Sequence, residues 1–186
     1  SAGELPVIIN LGYSVHGNEP SSTESSILTA YTLLASEQSS IKTYLKNAVI
    51  FIDPAINPDG RERHTQWANM YRSDALVVDS DDAEHNENWP RGRTNHYWFD
   101  LNRDWLLAIH PESRSKINWY HQWYPNVVGD FHEMGTNSSF FFEPMKTNGS
   151  KNPIMPAENY IDLNNLFAEY FVKATDEIGS LYFTKE

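Results

Sequence analysis

His16-Gly17-Asn18-Glu19 places an imidazole and a carboxylate three residues apart around a glycine, and a tight turn of that kind can aim both at one cation. Neutral imidazole and carboxylate are good zinc donors, but a catalytic zinc site takes three protein ligands and keeps a fourth position open. The chain has no cysteine. That removes disulfides, thiolate ligands and a cysteine nucleophile, so any metal must be held by His, Asp and Glu. With seven histidines in the chain, an H-x-x-E spacing arises by chance too readily to carry a site alone. His132 closes an apolar run and would complete a three-ligand set, although a histidine at a strand end is commonly packed or solvent-facing. His64, His85, His96, His110 and His121 compete from helices and polar loops. His96 is the nearest rival, because it adjoins the segment leading to Asn102.

A second cluster is Asp100-Leu101-Asn102-Arg103-Asp104. A guanidinium donates two parallel hydrogen bonds to a carboxylate and a neighbouring amide adds another, so Asn102 with Arg103 can clamp an anionic end. The same residues could instead make a surface ion pair between Arg103 and Asp104 or Asp100. Arg91 and Arg93 precede this cluster and could meet a developing oxyanion, or stand as solvated loop charges.

These groups need elements to hold them. Residues 7–12 read as a short buried strand and 48–56 as a second strand. Residues 97–101 and 126–131 read as two more, and Phe140-Phe141-Phe142 as another after a Gly135–Ser138 turn. Ser22 and Thr23 can cap a helix carrying Ile27, Tyr31, Leu34 and Ala35. Pro111 opens a second helix, and Tyr160, Leu163, Phe167, Phe171, Ala174 and Ile178 trace one face of a long third. Asn57-Pro58-Asp59-Gly60 reads as the turn that stops the second strand. The polar, acidic stretch from Ser73 to Asn95 is a loop of a length that calls for function or disorder. Strands alternating with helices indicate an α/β fold with a largely parallel sheet flanked by helices. Such sheets bind ligands beyond the carboxyl ends of their strands. His16 and Glu19 follow the first strand, the Asn57 turn the second, Asn102 and Arg103 the third, and His132 the fourth.

The length of 186 residues suits one domain with a real core. A formal charge of −11 argues against a nucleic-acid surface. No stretch approaches the roughly 20 apolar residues of a membrane span.

Read in order, Val15-His16-Gly17-Asn18-Glu19-Pro20, Asn57-Pro58-Asp59-Gly60, Phe99-Asp100-Leu101-Asn102-Arg103-Asp104-Trp105 and Asp130-Phe131-His132 resemble the zinc metallocarboxypeptidase family typified by pancreatic carboxypeptidase A. The resemblance implies an α/β/α sandwich and one zinc ion per chain, held by His16, Glu19 and His132. It implies a peptide substrate whose free terminal carboxylate is gripped by Asn102 and Arg103. Asp100 matches the acid that hydrogen-bonds the first histidine ligand. Either Arg93 or Arg91 is the counterpart of the arginine that meets the oxyanion. On a strand Asp130 faces the same way as His132 and could support it or equally serve a backbone group in the core, whereas Glu133 faces away and reads as structural.

The wording His-Gly-Asn-Glu-Pro and Asp-Leu-Asn-Arg-Asp-Trp is closer to bacterial members, which implies a secreted or periplasmic protein. No basic segment followed by an apolar core opens the chain, so no signal peptide is visible, and Ser1-Ala2-Gly3 reads as a cloning junction. The family's general-base glutamate lies downstream of the long helix, and no residue here matches it. Residues 1–186 are therefore expected to be part of the catalytic domain, incomplete at the C-terminus and at the start, and nearly inactive alone. Two other functions fit the same residues: a zinc amidohydrolase, either a deacylase or a peptidoglycan peptidase, and a non-catalytic module that binds carboxylate ends.

Overall fold

Branched and apolar side chains over Val7–Tyr13, Ala48–Asp53 and Val127–Phe131 form strands β1, β2 and β3. They do so in a computed structural model that describes residues 5–135, 138–142, 156 and 161–184. The three strands make one sheet in the order β2-β1-β3, and both pairings are parallel. Gly12 is in register with Asp53 on one side and Asp130 on the other, so all three chains end together. Parallel strands need crossovers, and the helices supply them.

Alternation along β1 assigns the two faces. Tyr13 donates its hydroxyl to Thr29 of helix α1 (Pro20–Ala35) at 3.1 Å. Its ring stacks on Phe131 of β3 with centroids 4.3 Å apart. On the opposite face Phe51 of β2 meets Trp119 and Trp123 of helix α4 (Pro111–Trp123), at 4.9 and 4.8 Å. Helix α2 (Ser39–Asn47) leads directly into β2.

Three helices, α1, α3 (Pro58–Tyr71) and α4, carry proline in the first turn, where its missing N–H has no intrahelical partner to lose. Asn57-Pro58-Asp59-Gly60 therefore begins a helix and does not merely end a strand. The Asn57 side chain caps α3 by accepting from the Gly60 N–H at 2.9 Å. Ser22 and Thr23, expected as caps, lie inside α1, which starts at Pro20 after Glu19. The Ser22 hydroxyl accepts from the Ser14 N–H at 2.8 Å and donates to the Phe131 carbonyl at 3.0 Å, joining β1 to β3.

The strand expected over Tyr97–Leu101 does not form. Asn95, fully buried, accepts through Oδ1 from the N–H groups of Tyr97 and Phe99, each at 3.0 Å. Trp98 takes the left-handed conformation, φ +67°. Asn95 so folds a strand-like aromatic run into a turn, and Leu101–Arg103 continues as a single 3₁₀ turn. The loop from Arg72 to Asp100 contains no helix or strand. Arg63 of α3 fastens it by donating to the carbonyls of Arg91, Thr94 and Asn95 at 2.8, 3.1 and 3.0 Å.

The chain divides into two compact units, Ser1–Glu133 and Met134–Glu186. In the second, β4 (Phe140–Phe142) and β5 (Tyr182–Thr184) pair in parallel, and helix α5 covers Leu163–Glu177. Phe140 and Phe171 meet edge to face at 6.3 Å. Tyr160, expected at the start of α5, lies outside the described residues. No helix among the described residues is long and apolar enough to cross a membrane.

Candidate metal centre

Burial in the first unit is greatest where the strands end, and there it is mostly polar. Ser14, His16, Ser22, Asn57 and Asn95 are each at most 4 % exposed. β1 stops at Tyr13, and Ser14 turns the chain with φ +56° so that His16 points back across the strand ends. Glu19 sits immediately before α1, and His132 immediately after β3. These three positions, the outer two 116 positions apart in sequence, offer donor atoms all within 4.8 Å of one another. Among the described residues they are the one group of three or more His, Cys, Asp and Glu that meets that condition.

The donor atoms are well chosen for a cation. His16 Nδ1 lies 2.7 Å from Glu19 Oε1, and His132 Nδ1 lies 3.2 Å from Glu19 Oε2. The far nitrogen of each ring is held by another carboxylate: His16 Nε2 by Asp100 at 3.0 Å, His132 Nε2 by Asp130 at 3.3 Å. A ring that donates one N–H to a carboxylate presents a lone pair on the other nitrogen, which is the tautomer a metal requires. Two imidazoles and a carboxylate facing one point, with no thiolate, fit zinc.

Asp100 is the hub behind this trio. Its Oδ1 takes His16 Nε2 and the Asn102 N–H at 2.9 Å, and its Oδ2 takes the Arg93 guanidinium at 2.9 and 3.0 Å. Burial alone would raise its pKa, but the Asn102 N–H, the His16 ring and Arg93 outweigh it and hold the carboxyl below the usual range. Arg93 Nη1 then leans toward the trio, 3.4 Å from His16 Nδ1 and 4.0 Å from Glu19 Oε1. The Arg91 side chain is placed elsewhere. Its residue is exposed, with φ +61°, and only its backbone is engaged among the described residues.

Asn102 reaches the edge of the trio, its Nδ2 3.4 Å from His132 Nε2. Arg103 is exposed and folds back to donate to the Asn102 carbonyl at 2.9 Å. Neither carboxylate suspected of pairing with Arg103 does so. Asp104 instead accepts from the N–H groups of Ile109 and His110 at 3.0 and 2.9 Å, setting the approach to α4. Of the rival histidines, His96 is mostly exposed with Asp59 at 3.9 Å, and His64 pairs with Glu87 at 3.1 Å.

Three supporting residues were given no part in the site by the sequence. Glu133, read only as structural, does two jobs: its N–H donates to Glu19 Oε2 at 2.8 Å, and its carboxylate accepts from the Ser21 N–H and hydroxyl at 3.0 and 2.6 Å. Asn57 spends its remaining donors on the carbonyls of Val15 and Arg93, both at 3.2 Å, fastening the turn beside His16 to the arginine loop. The Asn-Pro pair was the available signal for this cap. Glu87 is the third, and nothing in its local sequence marks it.

The trio is strongly polarised. Burial pushes the Glu19 pKa up, but hydrogen bonds from His132, His16 and the Glu133 N–H prevail and lower it to about 2 from 4.5. Asp130 and Glu19 together raise His132 from 6.5 to about 9, against its partial burial. The sign of each effect on stability follows by linkage. The Glu19 contribution is complete above its unfolded value of 4.5 and is lost as pH falls through about 2. The His132 contribution is complete below 6.5 and is lost as pH rises through about 9. Both describe one shared contact, so they are not added. For metal-free protein this contact stabilises most between pH 4.5 and 6.5. A metal ion held by His132 would have to displace its proton, so its apparent affinity should rise about tenfold per pH unit up to that pKa. Chelator-competition titrations at about pH 6, 7 and 8 read this directly, with about one proton released per ion. A flat profile would show that His132 carries no such proton.

A sequence profile for the family described as zinc carboxypeptidase matches residues 6–178. No curated protein sequence matches the chain. Among solved structures, a candidate carboxypeptidase A from Shewanella denitrificans OS-217 superposes with a TM-score of 0.52 at 22% identity, over 73% of this chain and 30% of its own. A candidate carboxypeptidase from Burkholderia mallei ATCC 23344 superposes with a TM-score of 0.64 at 16% identity, over 97% of this chain and 40% of its own. The chain thus spans less than half the length of either structure.

Proposed function

The chain belongs to the zinc carboxypeptidase family, and on that premise we propose that its protein hydrolyses the C-terminal peptide bond of peptides bearing a free carboxylate. The observation that carries this reading is the meeting of His16 Nδ1 and His132 Nδ1 on the two oxygens of Glu19, with Asp100 and Asp130 behind the rings. An ion held by His16, Glu19 and His132 would supply Lewis acidity and a water acidic enough to react near neutral pH.

The protein groups around that position divide the remaining work. Asn102 and Arg103 would bind the substrate's terminal carboxylate, where a guanidinium and an amide make a charge-assisted clamp. Arg93 would meet the negative charge that develops on the carbonyl oxygen, in a site already tuned by fixed donors. Asp100 would keep both His16 and Arg93 in place.

The carboxylates at the site are already engaged: Glu19 with both histidines, Asp100 with His16 and Arg93, Asp130 with His132, Glu133 with Ser21. None of these four is left to take a proton from water, so the general base would come from a residue outside this set, which the resemblance puts downstream of α5. A missing base lowers rate by about 10²–10⁴. The intact protein should therefore cleave peptides with free C-termini and spare those with blocked ones, while residues 1–186 alone should be slower by about that factor. Robust turnover by residues 1–186 would defeat the missing base. Faster cleavage of N-acyl amino acids than of peptides by the intact protein would favour a deacylase.

A further inference from the structure

Glu87 belongs to the long loop between α3 and the 3₁₀ turn, yet its side chain is only 10 % exposed. Three segments converge on its carboxylate. Asn18 Nδ2 donates to Oε2 at 2.9 Å, the Gly92 N–H donates to Oε1 at 2.7 Å, and His64 Nδ1 lies 3.1 Å from Oε1. Asn18 stands between His16 and Glu19, Gly92 immediately precedes Arg93, and His64 is on α3. A carboxylate this enclosed depends on its donors, because leaving it unsatisfied would cost more than any one bond contributes. The backbones pack closely at the same place: a Cβ added to Gly92 would lie 2.6 Å from the Gly60 carbonyl and 3.1 Å from Asn18 Cβ.

We infer that Glu87 is a positioning residue that couples the arginine loop to the turn bearing His16 and Glu19. Seating the loop fixes Asn18, and fixing Asn18 fixes the side chains on either side of it. By reciprocity, a cation held by that turn must stabilise the seated loop by the same factor. The loop half of this inference stands on the geometry alone, whereas the cation half rests on the carboxypeptidase reading.

Trypsin tests the loop, since it cuts after Arg91 and Arg93, and chelator competition tests zinc. In the intact protein, Glu87→Ala should speed cleavage at these two arginines about 10- to 100-fold, with sites such as Lys42 and Lys46 unchanged. It should weaken zinc binding about tenfold. Zinc should protect Arg91 and Arg93 in the wild type and fail to do so in Glu87→Ala. Glu87→Gln keeps an acceptor for Gly92, and Asn18 can turn its amide to meet the new donor, so this variant should recover most of both effects. Wild-type cleavage in a folded Glu87→Ala overturns the clamp. Faster cleavage with unchanged zinc affinity overturns the coupling. Should Glu87→Ala fail to fold by far-ultraviolet circular dichroism, Asn18→Ala decides: it should weaken zinc binding and abolish protection by zinc, and wild-type values for both overturn the inference. A wild-type protein that takes up no zinc would defeat the carboxypeptidase reading, and the clamp would then stand or fall on the cleavage rates.

Discussion

His132→Ala should abolish stoichiometric zinc binding. Structural zinc sites with four ligands bind with roughly 10–16 kcal/mol, so one ligand accounts for about 10²–10³ in affinity. A site with only three protein ligands has no spare donor to compensate. Asp130 Oδ2 and Asn102 Nδ2 lie beside His132 Nε2 at 3.3 and 3.4 Å, on the opposite side of the ring from the Nδ1 that faces Glu19, and an amide nitrogen carries no lone pair for a metal. The substitution also leaves Glu19 and Asp130 without the cation that both contact at 3.2 and 3.3 Å. Metal-free variant protein should therefore lose the decline in stability toward pH 9 that His132 confers on the wild type. His121→Ala is the control, since that ring lies on α4 beside Tyr120 and Tyr124. Metal content by native mass spectrometry separates the two. Unchanged zinc in His132→Ala would overturn the ligand assignment.

What could be read beforehand was what local chemistry determines. The β-branched runs of β1, β2 and β3 are parallel-strand sequences, nearly apolar throughout, and each is found where its composition puts it. The rule that sites lie beyond strand ends then pointed to the neighbourhood of His16, Glu19 and His132. The third expected strand failed because Tyr97, Trp98 and Phe99 have a strand's composition, while one buried amide, Asn95, takes two of the N–H groups a strand would use. Asn102 and Arg103 consequently follow a turn and not a strand. α3 escaped notice because its large apolar residues, Trp67, Met70 and Tyr71, are confined to its C-terminal end, and Asn57-Pro58 signals a turn and a helix start equally well.

Much of the support around the candidate site was not legible from local chemistry for a different reason: its contacts join residues far apart in sequence. Asp100 meets His16 across 84 positions, which only the family resemblance supplied, and Glu87 meets Asn18 across 69, which nothing supplied. No spacing rule reaches that far. The choice between Arg91 and Arg93 was of this kind too. It turns on a left-handed residue at Arg91, whose carbonyl serves Arg63, and on Asp100 standing where Arg93 can reach it.

Gly17→Ala should be the most damaging alanine substitution among the described glycines. Gly17 needs no unusual backbone angle; what it needs is the absence of a side chain. A Cβ placed there would lie 2.0 Å from the Arg61 nitrogen and 2.1 Å from the Gly60 carbonyl carbon, both backbone atoms of the first turn of α3. Gly60 is constrained in turn, since its own Cβ would lie 2.4 Å from the Gly92 carbonyl oxygen and 2.6 Å from Asn57 Nδ2. Three backbones from distant segments thus meet at Gly17, Gly60 and Gly92, and none can withdraw while Asn57 and Arg63 hold the loop. Overpacking a tight site costs about 1–3 kcal/mol, and a clash with backbone belongs at the upper end. The accessible relief is for the His16–Glu19 turn to lift away from α3, which would also separate His16 from Asp100. Gly17→Ala should therefore lower the urea midpoint by an amount equivalent to about 3 kcal/mol, and weaken zinc binding in the fraction that folds. Equal stability and equal zinc affinity in Gly17→Ala would mean that the turn and α3 are further apart than the backbone distances state, and the seating of Glu19 against His132 would have to be explained without α3.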